Sequence, residues 1–423
     1  MRFALICPPY ASHRAAFEAL AAALMARGHS VAFLVHGGMA GELRLDGAQL
    51  AALPGTPDGL ARIRANAALA GNPLFLWNVL KDGACQTRTL AQAGPELLRS
   101  VRADAIVADQ MEPAGGLIAR ALSLPFVSLA CSLPIETEAA VPPPFLNWSF
   151  DPSERGLRRN RGGNRVAHLL LTPQRRAIRD AAARLGLTGY DTLEDCLSPA
   201  GTVSQTVAAF DFPRQTGERI HGVGPIRRDR HVALFRPRDA GRPPLVYASL
   251  GTMQGHRLDI FRNVATACRR LGLRLAVAHC GGLSERQAAS LDAARVCDFV
   301  DQPAMLRQAS ICVTHGGMNT ALDALEAGVP MLALPLAFDQ PGVAARIRHH
   351  GVGLSLSPSR ASPSRASASR IEAALARILA EPGFAANACG IGQALKAGGG
   401  AARAAELVED LCSGRAVPMD LAV

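Results

Sequence analysis

The chain has 423 residues, 49% of them hydrophobic and 19% charged, with a mean hydropathy of +0.13. That is enough apolar material for two or three packed domains, and it gives no compositional case for global disorder. The 45 basic and 35 acidic residues leave a net charge of +10, but aromatics are only 4% and the basic residues are all Arg except Lys81 and Lys396, so stacking platforms for bases are scarce and no nucleic-acid partner is expected.

In chain order, Arg2–Cys7 is predicted as a strand, PPYASH as a loop, and His13–Arg27 as a helix, since Phe17, Leu20 and Leu24 recur at helical spacing. Gly28 ends that helix and Val31–Val35 is the next strand. The alternation repeats with Ala105–Ala108, a helix containing Gly116–Ala121, and Phe126–Leu129. Apolar strands alternating with helices predict a parallel sheet covered on both faces. Residues 225–244 are rich in Pro and Arg and read as a bridge. A second series of strands follows at Leu245–Ala248, Arg274–Ala278, Val296–Val300, Ile311–Thr314 and Met331–Leu334. The expected architecture is therefore α/β, with two doubly wound parallel-sheet domains facing a cleft: 1–225, a linker 226–244, and 245–423 including a terminal helix. Residues 357–370 repeat SPSRA and read as a surface loop.

No apolar run approaches the ~18 residues that span a bilayer, and MRFALICPPY is too short for an export signal; a cytoplasmic location is expected. The ten cysteines contain no CxxC pair, which removes zinc-ribbon spacing. Cys7, Cys131, Cys280 and Cys312 lie in apolar runs and are expected as buried thiols.

The most informative stretch is FVDQPAMLRQASICVTHGGMNTALDALEAGVPMLALPLAFDQPG, residues 299–342. A strand ends at Thr314, His315–Gly316–Gly317 turns, and a helix starts at Asn319 or Thr320 and runs to Ala327. A glycine turn into a helix N-terminus offers unpaired N–H groups and the positive end of the helix dipole, which suits phosphate. Thr320 and His315 add donors. The second strand ends in a loop with Asp339 and Gln340, an acceptor beside an amide, which suits sugar hydroxyls.

Together with the upstream Gln302, this stretch resembles the donor-binding signature of the UDP-dependent glycosyltransferases of the GT-B fold, whose domains are Rossmann-like. The resemblance implies that Phe299 and Val300 lie at the uracil, Gln302 and Asp323 at the ribose, His315, Gly317, Asn319 and Thr320 at the diphosphate, and Asp339 with Gln340 at the hexose. Phe299, Asp301 and Asp323 stand where that family usually has Trp, Pro and Glu. SLGT at 249–252 is similar to the family's phosphate loop, which points to Thr252. PPYASH puts His13 in the loop where the family has its catalytic base, and Asp109, at the end of AIVAD, where the family has the acid that orients it. Three stretches, ICPPYASHRAAFEALAAALMARGHSVAF, DFPR…HGVGPIR and HGGMNTALDALEAGVPMLALPLAFDQPGVAARIRHHGVG, further resemble the bacterial carotenoid glucosyltransferases.

The resemblance implies UDP-glucose as co-substrate and donor, a hydroxylated carotenoid such as zeaxanthin as acceptor, inversion to a β-glucoside, and no other cofactor. No DxD pair lies near a phosphate loop, so no metal is expected. A peripheral contact with the inner face of the cell membrane is expected through VPPPFLNWSF (141–150), with Phe145, Trp148 and Phe150, and through Arg155, Arg158, Arg159, Arg161, Arg165, Arg175, Arg176 and Arg179; the alternative is that 141–150 lines the acceptor groove and the arginines form a solvated loop. Three other functions stay open: a same-fold enzyme acting on a macrolide, sterol or other apolar aglycone; an inactive accessory homologue; and a dinucleotide oxidoreductase, although the first turn lacks the G-x-G-x-x-G fingerprint.

Overall fold

The computed structural model describes residues 1–43, 45–215, 219–228, 241–356 and 366–415. It contains two parallel sheets. The first has seven strands, β1 (Arg2–Ile6), β2 (Ser30–His36), β3 (Gln49–Leu53), β4 (Ala105–Asp109), β5 (Phe126–Ala130), β6 (Thr202–Ser204) and β7 (Ile220–Gly222), in the order β3-β2-β1-β4-β5-β6-β7. The second has six, β8 (Leu245–Ser249), β9 (Arg274–Ala278), β10 (Arg295–Cys297), β11 (Ile311–Thr314), β12 (Met331–Ala333) and β13 (Gly353–Ser355), in the order β10-β9-β8-β11-β12-β13. Strands such as AIVAD, FVSLA and LVYAS are buried at every position, as strands covered on both faces must be. In each sheet the winding reverses between two neighbours, β1 and β4 in the first and β8 and β11 in the second. The gap beyond the carboxyl ends of such a pair is where open α/β sheets bind ligands.

Several elements depart from the sequence expectation. The first helix spans Ala11–Ala26, so His13 stands in its first turn and not in a loop. β10 stops at Cys297, short of the expected Val300. Strands β6, β7 and β13 have three residues each, too few for a periodic signal. Cys280 is only half-buried, while Cys7, Cys131 and Cys312 are buried. The arginine-rich stretch forms two helices, Glu154–Leu170 and Thr172–Arg184, not a loop. The last helix, Gly400–Ser413, does not stay with the second sheet: Ala404, Ala405, Leu407, Val408 and Cys412 complete the first core beside Phe17, Leu20 and Val127. Residues 229–240 of the expected linker and 357–365 of the repeat lie outside the described residues.

Segment 141–150 straps the two domains together. Val141 is buried with Phe212 and Ala345. The Phe150 ring stacks on Phe212 at 5.5 Å and meets His349 at 5.7 Å. Arg348 Nη1 donates to Asn147 Oδ1 at 2.6 Å. A Cβ on Gly342 would stand 2.1 Å from the Pro144 carbonyl oxygen, so only glycine permits that approach. Trp148 packs over Gly163 and beneath the Arg159 guanidinium, 5.0 Å from its ring centre. Phe150 and Trp148 are therefore engaged within the protein, and the expected lipid contact through them does not hold.

Beside the strap, Arg346 is buried and binds Asp211 Oδ1 through Nε at 2.7 Å and Nη2 at 2.6 Å. Arg214 holds the other carboxylate oxygen at 2.7 Å. Burial opposes the Asp211 charge, but the two guanidiniums overcome it and hold its carboxyl below the usual range. Arg346→Met leaves Asp211 short of one cation in a dry joint and should cost about 3–5 kcal/mol in urea unfolding. The double variant Arg346→Met/Asp211→Asn should recover part of that loss; an unchanged midpoint for the single variant would exclude the joint as a source of stability.

Candidate active site

His13 follows β1 and Asp109 ends β4, so the first sheet's reversal brings them together. His13 Nδ1 lies 2.6 Å from Asp109 Oδ2. The other carboxylate oxygen accepts the Met111 N–H at 2.9 Å, which fixes the carboxylate's plane. With Nδ1–H donated to Asp109, Nε2 carries the free lone pair. Burial pulls the His13 pKa down, but the Asp109 charge and hydrogen bond, with the Asp339 charge, outweigh it and raise the value above 6.5.

The Cys131 Sγ joins this pair, with all three ligand-type atoms within 4.8 Å of one another. Two ligands on one tetrahedral zinc would stand roughly 3.3 Å apart, so the 2.6 Å contact between imidazole and carboxylate is a hydrogen bond and not an ion's coordination edge. Burial first, then the Asp109 charge, push the Cys131 thiol well up, which leaves its proton available to Asp109. Nearby, Glu112 is buried and accepts from Thr87 Oγ1 at 3.2 Å, and Gln174 Nε2 donates to that hydroxyl at 2.8 Å. Burial pushes the Glu112 carboxyl up to about 8 against the Thr87 bond, so it is largely neutral at pH 7. Glu112, Thr87 and Gln174 carry no signal in the sequence; isolated polar residues on helices look like surface.

The second sheet's reversal sets the loop after β8 against the loop after β11. His315 follows β11, and its ring lies between Gly251 and Gly317. A Cβ on Gly251 would stand 2.7 Å from His315 Cε1, and one on Gly317 would stand 2.4 Å from its Nε2. Burial holds the ring neutral, lowering its pKa to about 4, and Nδ1 is buried without a hydrogen-bond partner. Gly317 starts the helix Met318–Glu326 with no side-chain cap, so the first-turn N–H groups are open to an anion. Thr252 is exposed on the short helix Gly251–Gln254 that starts at the other glycine.

Gln302, Thr320 and Asp323 converge. Gln302 Oε1 accepts the Tyr247 hydroxyl at 3.1 Å and the Thr320 hydroxyl at 3.5 Å, and its Nε2 donates to Asp323 Oδ2. Arg227 pairs with the other Asp323 oxygen and with Glu326 at 2.9 Å. Asp323, the shorter acid, is thus tied to Gln302 and Arg227. Asp301 caps the helix Gln302–Gln308, accepting the Ala304 N–H at 3.0 Å, which gives this departure from the family pattern a structural role. Phe299 is 69% exposed, and Val300 packs on the edge of the second core. Asn319 turns toward the first domain, where Gln205 Nε2 approaches its Oδ1 at 3.4 Å. Tyr247, Arg227 and Gln205 were not singled out by the sequence; Arg227 ends the quoted HGVGPIR stretch but falls in the expected linker.

Gln340 Oε1 accepts the Leu336 and Ala337 N–H groups, both at 2.8 Å. Its amide NH₂ remains for a ligand. Phe338, at φ 56°, bends the loop just before Asp339. Asp339 Oδ2 accepts the Leu133 N–H from the first domain at 3.4 Å. Burial raises the Asp339 carboxyl, opposed by that bond and by the charge of His13. The two halves of the site therefore face each other: His13 and Asp109 on one wall, and Asp339 and Gln340 on the other, with His315 and the helix N-terminus at the second sheet's reversal.

Comparison with known proteins bears on what this geometry serves. The model of the family described as "UDP-glucoronosyl and UDP-glucosyl transferase" matches residues 80–394. A zeaxanthin glucosyltransferase from Pseudescherichia vulneris is 38% identical over 97% of this chain and 98% of that protein. One from Pantoea ananas is 36% identical over 98% and 97% respectively. Among solved structures, the glycotransferase of kitacinnamycin superposes with a TM-score of 0.74 over 97% of this chain and 99% of that one, at 21% identity, which shows that the fold is GT-B.

The cradle around His315 can be tested directly. Gly251 has φ +70° and Gly272 has φ +65°, but only Gly251 faces the ring; Gly272 has nothing within 4 Å of a built Cβ. Both Ala variants pay the backbone strain, and Gly251→Ala should lose about 1–3 kcal/mol more from overpacking. Adding His315→Ala should return that difference in a double-mutant cycle. Equal losses for the two glycines would mean that the ring does not need the gap.

Proposed function

The chain belongs to the UDP-glucoronosyl and UDP-glucosyl transferase family, and on that premise we propose that it transfers glucose from UDP-glucose to a hydroxyl of zeaxanthin or a related hydroxycarotenoid, with inversion to a β-glucoside. Two relatives, each matched along nearly its whole length, carry the name zeaxanthin glucosyltransferase. The observation that carries the chemistry is the short His13–Asp109 hydrogen bond facing Asp339 across the cleft.

In this reading His13 Nε2 takes the proton from the acceptor hydroxyl. Asp109 holds the tautomer and stabilises the imidazolium. The oxygen attacks the anomeric carbon opposite UDP, and an α-linked donor gives a β-linked product. The departing diphosphate carries negative charge, which the N-terminus of Met318–Glu326 stabilises without reorganisation. His315 is neutral and acts as a hydrogen-bond partner, not a cation. Gln302 and Asp323 hold the ribose edge, Phe299 covers the base, Thr252 and Thr320 reach the phosphates, and Asp339 with the Gln340 amide holds the hexose. UDP-glucose is a co-substrate and no resident cofactor is required. No helix among the described residues is long and apolar enough to cross a membrane. On this reading the lipid-dissolved acceptor is reached through a peripheral contact with the cytoplasmic membrane face.

Purified protein with UDP-glucose and zeaxanthin should give mono- or diglucosides by mass; transfer to a macrolide or sterol alone would favour the other apolar-aglycone reading, and no transfer would favour the accessory one. His13→Ala should keep UDP binding and lose about 100-fold or more in turnover. The acid limb of kcat/KM should lie above pH 6.5, because the base must be neutral and its pKa is raised. Asp109→Asn removes the charge that raises it, so the limb should move to lower pH while turnover falls; a limb that stays put would dissociate Asp109 from the base.

Gln340 separates sugar from nucleotide. Gln340→Ala should raise KM for UDP-glucose about 10-fold or more and change UDP affinity by less than about 3-fold. Parallel losses would place Gln340 in loop support alone, through its bonds to Leu336 and Ala337.

A further inference from the structure

Ten large hydrophobic side chains are exposed among the described residues, and four of them, Trp77, Val166, Leu169 and Leu170, gather at one corner of the first domain. Val166, Leu169 and Leu170 stand at i, i+3 and i+4 on the helix Glu154–Leu170, on one face. Val166 is 56% and Leu169 69% exposed. The next helix begins at once: the Thr172 hydroxyl donates to the Leu169 carbonyl at 2.5 Å. Thr172, Pro173 and Arg176 then line a shallow cleft of about 260 Å³ with Trp77, Lys81, Ala84 and Arg88. The indole of Trp77 thus lines the opening, and the exposed end of the helix Glu154–Leu170 leads directly into Thr172 at its rim.

The charge around this corner is of one sign. Arg161 and Arg165 stand eight and four residues before Leu169 on the same helix, Arg165 beside it in angle, and both are exposed. Arg176 and Lys81 border the cleft. None of these four makes an ion pair with a carboxylate among the described residues. The acids near the cleft's cations are already paired: Asp180 with Arg88 at 3.0 Å and the buried Asp82 with Arg62 at 2.7 Å. Elsewhere in the arginine-rich stretch the guanidiniums are engaged: Arg159 on Trp148, and Arg175 and Arg179 on Asp191.

We infer that this corner is a membrane-docking surface, in which Trp77, Val166, Leu169 and Leu170 enter the headgroup boundary of an anionic phospholipid leaflet and Arg161, Arg165, Arg176 and Lys81 meet its phosphates. An indole with aliphatic neighbours suits the interface of a bilayer, and exposed cations without carboxylate partners, Lys81 among them 5.9 Å over the Trp77 ring, suit its negative surface. The corner also adjoins the acceptor wall. Gln174, next to Pro173, donates to Thr87, which donates to Glu112, three residues after Asp109. A carotenoid in lipid is thereby brought to the side of the domain that holds His13. The inference rests on the proposed lipid-soluble acceptor for its purpose, but not for its test.

The full chain should co-sediment with vesicles of phosphatidylglycerol and phosphatidylcholine, not with phosphatidylcholine alone, and binding should weaken with salt. Each cation near the surface is worth about five-fold in partitioning, so Arg161→Gln/Arg165→Gln should bind about 25-fold more weakly. Leu169→Ser/Leu170→Ser should abolish binding without altering unfolding, since both side chains are exposed. Glucosylation of zeaxanthin in those vesicles should fall with binding, while transfer to a water-soluble hydroxylated acceptor stays unchanged. Vesicle binding indifferent to these substitutions, or a concentration-dependent dimer that Leu169→Ser/Leu170→Ser dissociates, would overturn the inference. Docking as expected with no transfer to zeaxanthin would instead refute the acceptor assignment and leave the surface standing.

Discussion

Each sheet reverses its winding between two adjacent strands, and the site is built around the two gaps that result. Helices on opposite faces cannot cover the carboxyl ends of β1 and β4, or of β8 and β11, so each pair opens a crevice. The first crevice receives the hydrogen-bonded His13–Asp109 pair, the proposed base and its orienting acid. The second receives a neutral imidazole and an uncapped helix N-terminus. Neither crevice is a complete site, because a transfer reaction needs the attacking hydroxyl and the departing diphosphate on opposite sides of one carbon.

Completion therefore depends on how the two sheets are held together. The Asp211–Arg346 pair lies in the joint, supported by Arg214, by the Phe150–Phe212–His349 rings and by the 141–150 strap. Buried charge is an expensive fastening, but it is directional: the bidentate guanidinium fixes an angle as well as a distance. Gln205 extends the same logic nearer the site, donating to the Cys131 carbonyl and to Asn319 and accepting the Ile226 N–H. One buried amide thereby touches Cys131 just past β5, the start of the linker, and the helix Met318–Glu326.

The parts of this design that could be read in the sequence are those written locally. The glycine turn at 315–317, the capped helices and the apolar strands all depend on neighbours in the chain, and β9 and β11 fall on their expected residues. His13 and Asp109 were legible only through resemblance, since nothing local connects two residues so far apart. The interdomain fasteners were not legible. Arg346 sits among Arg and His residues with no local sign of burial, yet it is among the most buried side chains of the described residues. Trp148 and Phe150 read as an exposed aromatic segment because their partners, Gly163, Phe212 and His349, lie elsewhere in the sequence. The return of Gly400–Ser413 to the first core is another long-range event, marked by a Gly400 N–H bond to the Val223 carbonyl at 2.7 Å.

Electrostatics joins the two crevices into one device. The basicity of His13 is set by burial, by Asp109 on its own wall and by Asp339 on the opposite one. Asp339 in turn is buried against Leu133 and feels the charge of His13. In such low-dielectric surroundings each charge is sensitive to the separation of the walls. The geometry that sets Asp339 across from His13 is thus also the geometry that sets the electrostatics of the proposed base, and the joint around Asp211 holds both walls in that relation.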